Sequence, residues 1–510
     1  MIRRRLIRKF LSRSSLALLV ICATHLAAFD RTIFADDEVE LGRLLYSDPN
    51  LSLNRNQSCA TCHSLTPALG PGSDQPLSTP GFVDPESVHT STPVSRGSVS
   101  GKFGALNAPS VGYAAFSPEF HWDPAERRFV GGQFWNGRAA NLQAQAGQPV
   151  LNPAEMAMPS KWALVTRLKE NSTYRQLFAQ LYGLTLDGVE GNELASATNT
   201  PPAGVLAIYD AATQAISQFE RDRSFSKFTS KFDFYLAGMT TLNSNELDGL
   251  SVFVVKAGCA ACHTSDAGTD AQGHTTPPLF SNFTYHNVGL PRNVNIPGNP
   301  PVDLGLGGRP DIAATPGGTT QLGKHKVVSL RNVAVTPPYG HNGVFTNLEQ
   351  VVHFYNTRDR LGRVDSNTNA GFGITGWPEP EVPQNLNVDL TGTLHLTTQE
   401  EADVVAFLRT LTDGYPETGA DPSVPPGTPS PFANTAIPQI PARLAVTAPG
   451  TLLLSGHLGI DYRVEYSDSL SVTNFWEPLL TTRLLSNSLP ILDTNWGRLP
   501  KRFYRAVQSP

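Results

Sequence analysis

Residues 59–63 read Cys-Ala-Thr-Cys-His and residues 259–263 read Cys-Ala-Ala-Cys-His. Four of the five cysteines thus fall in two matched pairs, each followed at once by a histidine, His63 and His263. Two thiols one turn apart can add to the two vinyl groups of a single haem, and the next residue then sets an imidazole under the iron; C-x-x-C-H is the c-type attachment pattern. Other uses of such cysteines fit less well. A four-cysteine zinc site does not call for histidine after both pairs, and here the pairs stand 200 positions apart. A redox-active disulfide calls for a thioredoxin-like βαβ surround that the sequence lacks. The spacing therefore predicts two covalent haems, attached through Cys59, Cys62, Cys259 and Cys262, with His63 and His263 as proximal iron ligands.

Each attachment site needs an element to aim it. Before the first, DDEVELGRLLYSD (36–48) has helical spacing, with Val39, Leu41, Leu44 and Leu45 as its apolar stripe. Before the second, NSNELDGLSVFVVKAG (243–258) opens on an Asn/Ser cap and is expected to place Leu247, Leu250, Phe253 and Val254 on one face. A helix leading into C-x-x-C-H is how cytochrome c domains begin, so two mainly helical haem domains are expected. With 510 residues the chain exceeds one core, and only 16% charged residues with 43 Gly and 41 Pro describe folded, loop-rich domains. A net charge of −5 without a basic stripe argues against a nucleic-acid partner. The basic start MIRRRLIRKFLSR, the short apolar core SLALLVICATHLAA and the small residues at its end read as a signal peptide over 1–35. That core falls short of the ~20 residues needed to span a bilayer. A lipoprotein anchor at Cys22 or a retained membrane anchor are the competing readings. The mature chain is expected to be exported, to a periplasm.

Several further stretches carry a family resemblance: LGRLLYSDPNLSLNRNQSCATCH, FGALNAPSV, GGQFWNGRAANLQAQAGQPVLNPAEM, VSLRNVAVTPPYGHNGVFTNLEQVVHFYN and TTQEEADVVAFLRTL. In their order they resemble the bacterial di-haem cytochrome c peroxidases and their MauG-type relatives, from about residue 37 to about 413. The resemblance implies that the first haem reacts with peroxide and the second relays electrons. It places Gln145, Pro149 and Glu155 in the distal pocket of the first haem, Glu155 as the acid that moves a proton between the peroxide oxygens and Gln145 as a hydrogen-bond donor. Trp135 matches the tryptophan between the haems. Many members block the first iron with a histidine shortly beyond the attachment site; here PALGPGSDQPLSTPGF holds none, and the next, His89, lies 26 residues after His63. An open first iron is therefore expected, with His89 and His121 as loop residues.

The second iron's other ligand is commonly Met, but this chain has only Met1, Met156, Met158 and Met239, none in the matching helix. There, Leu348, Val352 and Tyr355 share a face, Thr346 and Glu349 can form a capping box, and Tyr355 lands where MauG-type members place a tyrosine ligand. A phenolate lowers the reduction potential relative to a thioether. His353 falls on another face, and His341 matches a family residue read as structural. Asn107, Thr336 and Pro338 match the family's calcium site, supplying hard oxygen donors.

The Pro-rich stretch 414–442 reads as a semi-rigid linker. Short apolar bursts from 443 to 510 read as a small β-sandwich without cysteine, expected to serve attachment to a surface or a protein. The expected order is signal peptide 1–35, peroxidatic haem domain 36–220, electron-transfer haem domain 221–413, linker 414–442 and β-module 443–510, mainly α with a small β domain. The leading functional expectation is a cytochrome c peroxidase-like enzyme that reduces hydrogen peroxide with electrons from a small cytochrome c or cupredoxin. One alternative is a MauG-like oxidase that modifies a partner protein through high-valent haem, weakened by Ala257 where MauG proteins carry Trp six residues before the second proximal histidine. The other is a non-catalytic di-haem electron-transfer cytochrome.

Overall fold

The computed structural model describes residues 37–269, 274–468, 476–486, 488–497 and 502–508. The signal-peptide reading falls outside them. Among the described residues no helix is long and apolar enough to cross a membrane.

The first half is built on α1 (residues 37–47), α2 (Lys161–Leu168), α3 (Ser172–Tyr182) and α4 (Ala203–Phe219). The stripe on α1 behaves as its spacing predicts: Leu41 and Leu45 are buried, and Val39 and Leu44 pack at the edge of the same core. Gly42 permits α1 to cross α4 at close range, since a Cβ there would lie 2.0 Å from the Ala215 carbonyl oxygen. The second half repeats the device. Its α5 (Ser244–Ser251) crosses the closing helix, and a Cβ on Gly249 would lie 1.9 Å from the Asp403 carbonyl oxygen. In each half a helix before the C-x-x-C-H turn is clamped onto a later one by a glycine.

One expected face is different. After α5 the chain widens into a π-turn, Val252–Lys256. The extra residue rotates the side chains beyond it relative to α spacing. Val252, Phe253 and Ala257 point inward, while Val254 within the π-turn is 40% exposed; Leu247, in the α-helix before it, is also 41% exposed rather than lining the core. The remaining helices of this half are α6 (Leu348–Thr357) and α7 (Thr398–Arg409), the latter with the capping box Thr397/Glu400. The cap on α6 is Asn347, which accepts from the Gln350 amide at 2.9 Å. The Thr346/Glu349 box is not formed, because the helix begins one residue later and the Gln350 side chain takes the Thr346 amide instead.

The halves meet around a buried polar knot. Arg331 and Asp233, both fully buried, pair at 2.7 Å. Asp413 accepts from the Tyr113 hydroxyl at 2.9 Å, the Thr229 amide at 2.8 Å and Asn332 Nδ2 at 3.0 Å. The Pro-rich segment after it is pinned to the haem domains: Arg221 Nε donates to the Pro438 carbonyl, Ser430 Oγ to that of Phe228 and Thr435 Oγ1 to that of Thr275.

The C-terminal part forms two three-stranded antiparallel sheets from β1 (Arg443–Ala448), β2 (Thr451–Ser455), β3 (Asp461–Ser467), β4 (Glu477–Arg483), β5 (Leu489–Leu492) and β6 (Phe503–Gln508). Their orders are β5-β2-β1 and β4-β3-β6. Leu452, Leu454, Tyr462, Val464 and Ile491 fill the space between the sheets and belong to the same buried cluster as Leu41, Val205 and Ile216. The module is thus seated on the first haem domain by a continuous core. Polar bonds at that seam are reciprocal: Gln214 Oε1 accepts from the Leu458 amide at 2.6 Å, and Glu38 accepts from Tyr182, Gln214 and His457 at 2.6–2.7 Å.

Candidate functional site: two cysteine-histidine centres and the segment between them

Both C-x-x-C-H turns are prepared in the same way. Cys59, Cys62, Cys259 and Cys262 are unpaired thiols, so no disulfide closes either turn. His63 Nδ1–H donates to the Phe82 carbonyl at 3.3 Å, and His263 Nδ1–H donates to the Phe280 carbonyl at 2.8 Å. That bond fixes the ring and leaves Nε2 free for a metal. Phe82 and Phe280 both sit in the left-handed region, at φ +53° and +52°. Such a conformation costs free energy for a residue with a Cβ, and at both places it aims a carbonyl at a histidine. Burial lowers each imidazole's pKa to about 4, which keeps it neutral and able to donate a lone pair.

Over the first centre stands the segment 142–158. The short helices Leu142–Ala146 and Gln148–Leu151 end in a turn held by the Met156 amide on the Pro149 carbonyl (3.2 Å) and the Glu155 amide on the Asn152 carbonyl (3.0 Å). Glu155 therefore lies in this turn and caps no helix. Its carboxylate accepts from Asn152 Nδ2 at 2.6 Å. Burial raises its pKa, with Arg138 and the Asn152 bond partly offsetting the rise. Burial raises the Cys59 and Cys62 thiol pKa values, and the charge of this carboxylate adds a smaller rise. Gln145 is half-buried in the last turn of the first short helix. His89 sits at the end of the helix Pro85–Thr90 rather than in a loop, bonded to the Gly70 carbonyl, and His121 bonds the carbonyl of Glu119.

The second centre opens onto a cavity lined by Cys259, Cys262, His263 and Tyr355, with Leu348 and Val352 from the same face of α6. Burial pushes the Tyr355 phenol well above its usual range. No described residue hydrogen-bonds its hydroxyl. His353 points elsewhere, to Glu401 at 3.0 Å. Thiols, a free imidazole Nε2 and an unpartnered phenol around an apolar space suit a porphyrin iron, so the residues present fit a covalent haem at this site. The first centre repeats the donor set up to the distal side.

Between the centres runs the segment Asn107–Ser110. It lines the second cavity, and its Pro109 carbonyl also reaches the His63 ring. Trp135 lines the same cavity and donates Nε1–H to the Asn107 carbonyl at 2.8 Å. Asn107 Nδ2 donates to the Pro93 carbonyl at 3.0 Å, which leaves the side-chain oxygen as a remaining acceptor. Thr336 and Pro338 line this cavity too.

Sequence reasoning missed Lys326. It is buried, lines the second cavity and donates to the Gly132 carbonyl at 2.6 Å; burial lowers its pKa to about 7. A lone lysine in the apolar run HKVVSL was the available signal. A cation in that position suits a porphyrin carboxylate. Arg138, whose charge acts on Glu155, was also passed over.

A model of the di-haem cytochrome c peroxidase family matches residues 36–241. The methylamine utilization protein MauG of Paracoccus denitrificans is 40% identical over 387 residues, covering 74% of this chain and 89% of that protein. Cytochrome c551 peroxidase of Nitrosomonas europaea is 27% identical, with 75% and 81% covered. Among solved structures, the diheme peroxidase BthA of Burkholderia thailandensis superposes with a TM-score of 0.60 at 28% identity, covering 77% of this chain and 89% of that one.

Proposed function

The chain belongs to the di-haem cytochrome c peroxidase and MauG family, and from that premise we propose that it reduces hydrogen peroxide to water: H₂O₂ with two electrons and two protons gives two H₂O. When bound, the first haem supplies the iron that meets peroxide and the second passes in electrons from a small redox protein, a cytochrome c or a cupredoxin. The observation that carries the reading is Glu155, a half-buried carboxyl with a raised pKa whose charge is felt at the thiols of the first attachment turn. Such a group takes the proton from one peroxide oxygen and returns it to the other. Asn152 fixes which carboxylate oxygen is free, by bonding Oε1. The positive charge of Arg138 works against that rise in pKa and favours the ionised carboxylate. Gln145 serves as a second polar contact in the pocket and Pro149 as the rigid residue that spaces it. Trp135, in the wall of the second cavity, would give electrons a short aromatic route, and Tyr355 would hold the second haem's iron together with His263. Asn107, Thr336 and Pro338 offer oxygens to Ca²⁺ between the centres. The periplasm supplies the setting.

Holo-protein given reduced cytochrome c should consume peroxide, and Glu155→Gln should lower turnover by about 10²–10⁴-fold. Turnover unchanged in that variant overturns the proposal. A second reading, oxidation of a partner protein, is favoured by the MauG relative and by Tyr355. Ala257, buried at 3% exposure, stands where that chemistry would want an aromatic route from the second centre to the surface. A partner protein whose oxidation depends on this chain and persists without cytochrome c would turn the choice.

A further inference from the structure

Asp303, His325 and His341 converge beside Trp135, outside the haem donor sets. Their ligand atoms lie within 4.8 Å of one another. His325 Nε2 bonds Asp303 Oδ2 at 2.8 Å. The two imidazoles stack face to face, centroids 3.6 Å apart and 8° from parallel. Glu381 closes the group from the other side, with Oε2 3.9 Å from His341 Nε2. The His341 ring is more than nine-tenths buried, and its Nε2 has no hydrogen-bond partner.

A buried nitrogen without a partner costs free energy, on the order of 1–3 kcal/mol, and calls for an explanation. The ion pair of Asp303 with His325 explains only one ring. No described residue satisfies the other, although a second carboxylate stands just beyond hydrogen-bond reach. Two imidazoles and a carboxylate within 4.8 Å of one another, with a second carboxylate beside one of the rings, are a donor set for a divalent transition ion. Imidazole nitrogens also separate this group from the oxygen-only set at Asn107, Thr336 and Pro338, which suits Ca²⁺. We propose that Asp303, His325 and His341, with Glu381 beside them, form a further metal site, specific for a divalent first-row transition ion such as Zn²⁺.

Binding requires a modest rearrangement. Zn–N and Zn–O bonds of about 2.0–2.1 Å place tetrahedral ligands roughly 3.4 Å apart. His325 Nε2 and Asp303 Oδ2 must therefore part from 2.8 Å while the wider pairs draw in, and one imidazole must turn out of the parallel stack so that the two lone pairs meet. These are side-chain rotations, of His325 from a short strand and of Asp303 and His341 from loops. Arg292, 3.6 Å from Glu381, compensates that carboxylate in the meantime. The ring of His341 stands edge-on to Trp135, centroids 6.4 Å apart. On the reading of Trp135 as the electron route, a dication there would disfavour oxidation of the indole and so couple metal supply to electron flow.

The test uses the full di-haem protein, stripped with chelator, resaturated with Ca²⁺ and titrated with Zn²⁺ alone in a calorimeter. One Zn²⁺ per chain is expected. His325→Phe, which keeps a ring in the stack, and Asp303→Asn should each weaken it at least about tenfold, with the haem absorption spectrum unchanged as the check on folding. With Cu²⁺ in place of Zn²⁺, electron paramagnetic resonance should show two imidazole nitrogens in the parent and one in His325→Phe. Absence of a binding event in the parent, or one Zn²⁺ bound with equal affinity by parent and both variants, overturns the site.

Discussion

At the scale of single residues, the protein spends its burial on protonation states. His63 and His263 are held neutral, as ligands must be, and Glu155 is held closer to neutrality than a surface carboxylate. The last of these sets a pH dependence. A base must be ionised to take a proton, and burial lifts the Glu155 pKa above its ordinary value of 4.5. Peroxide turnover should therefore fall as pH drops through a point above 4.5, because protonated Glu155 has no lone pair to offer. The acidic limb of the pH–rate profile should vanish in Glu155→Gln, which has nothing left to titrate; the same limb in both would assign it to another group. Identity was legible here because C-x-x-C-H and the Gln145/Pro149/Glu155 run are local patterns. Lys326, Arg138 and the His325–His341 stack were not, because each gains its meaning from partners far along the chain: Gly132 for Lys326, Asp303 for His325.

At the scale of elements, the two halves are one design used twice. A helix crosses a later helix through glycine, then a turn presents two thiols and an imidazole, then a left-handed phenylalanine locks that imidazole. Helix existence followed from apolar spacing, as α1 shows. The face of the second leader did not, since a π-turn leaves no mark in periodicity; nor did the one-residue shift of the cap on α6. The glycines carry the testable part. Alanine is the better helix former by about 1 kcal/mol, so on an isolated α5 Gly249→Ala would stabilise. In the folded protein the new Cβ would meet the Asp403 carbonyl at 1.9 Å, and Gly249 is not in a left-handed conformation that could be blamed instead. Forcing α5 off α7 should cost about 1–3 kcal/mol or more. It should loosen the second centre before the first, read as a lower thermal midpoint for the Tyr355-side haem spectrum. A gain in stability would mean the helices have room to part.

At the scale of the whole molecule, the sequence divides the chain more sharply than the fold does. The linker and β-module were readable as Pro-rich and strand-like, but their relation to the rest was not, because apolar strand residues do not announce which surface they will cover. The module expected to serve attachment is also packed into the rest: Leu452, Leu454 and Val464 are buried in one cluster with the helices of the first haem domain. Glu38 sits in that seam. Burial alone would raise its pKa, yet His457, Gln214 and Tyr182 together leave it lowered, so a charge is kept within the interface. Leu454→Ala decides between brace and appendage. Removing a fully buried leucine should cost about 2–5 kcal/mol. If the core is continuous, that loss lowers the midpoint at which the first haem's absorption changes on heating or in denaturant. If the module folds apart from the haem domains, only the β-sheet signal moves and the haem transition stays where it was.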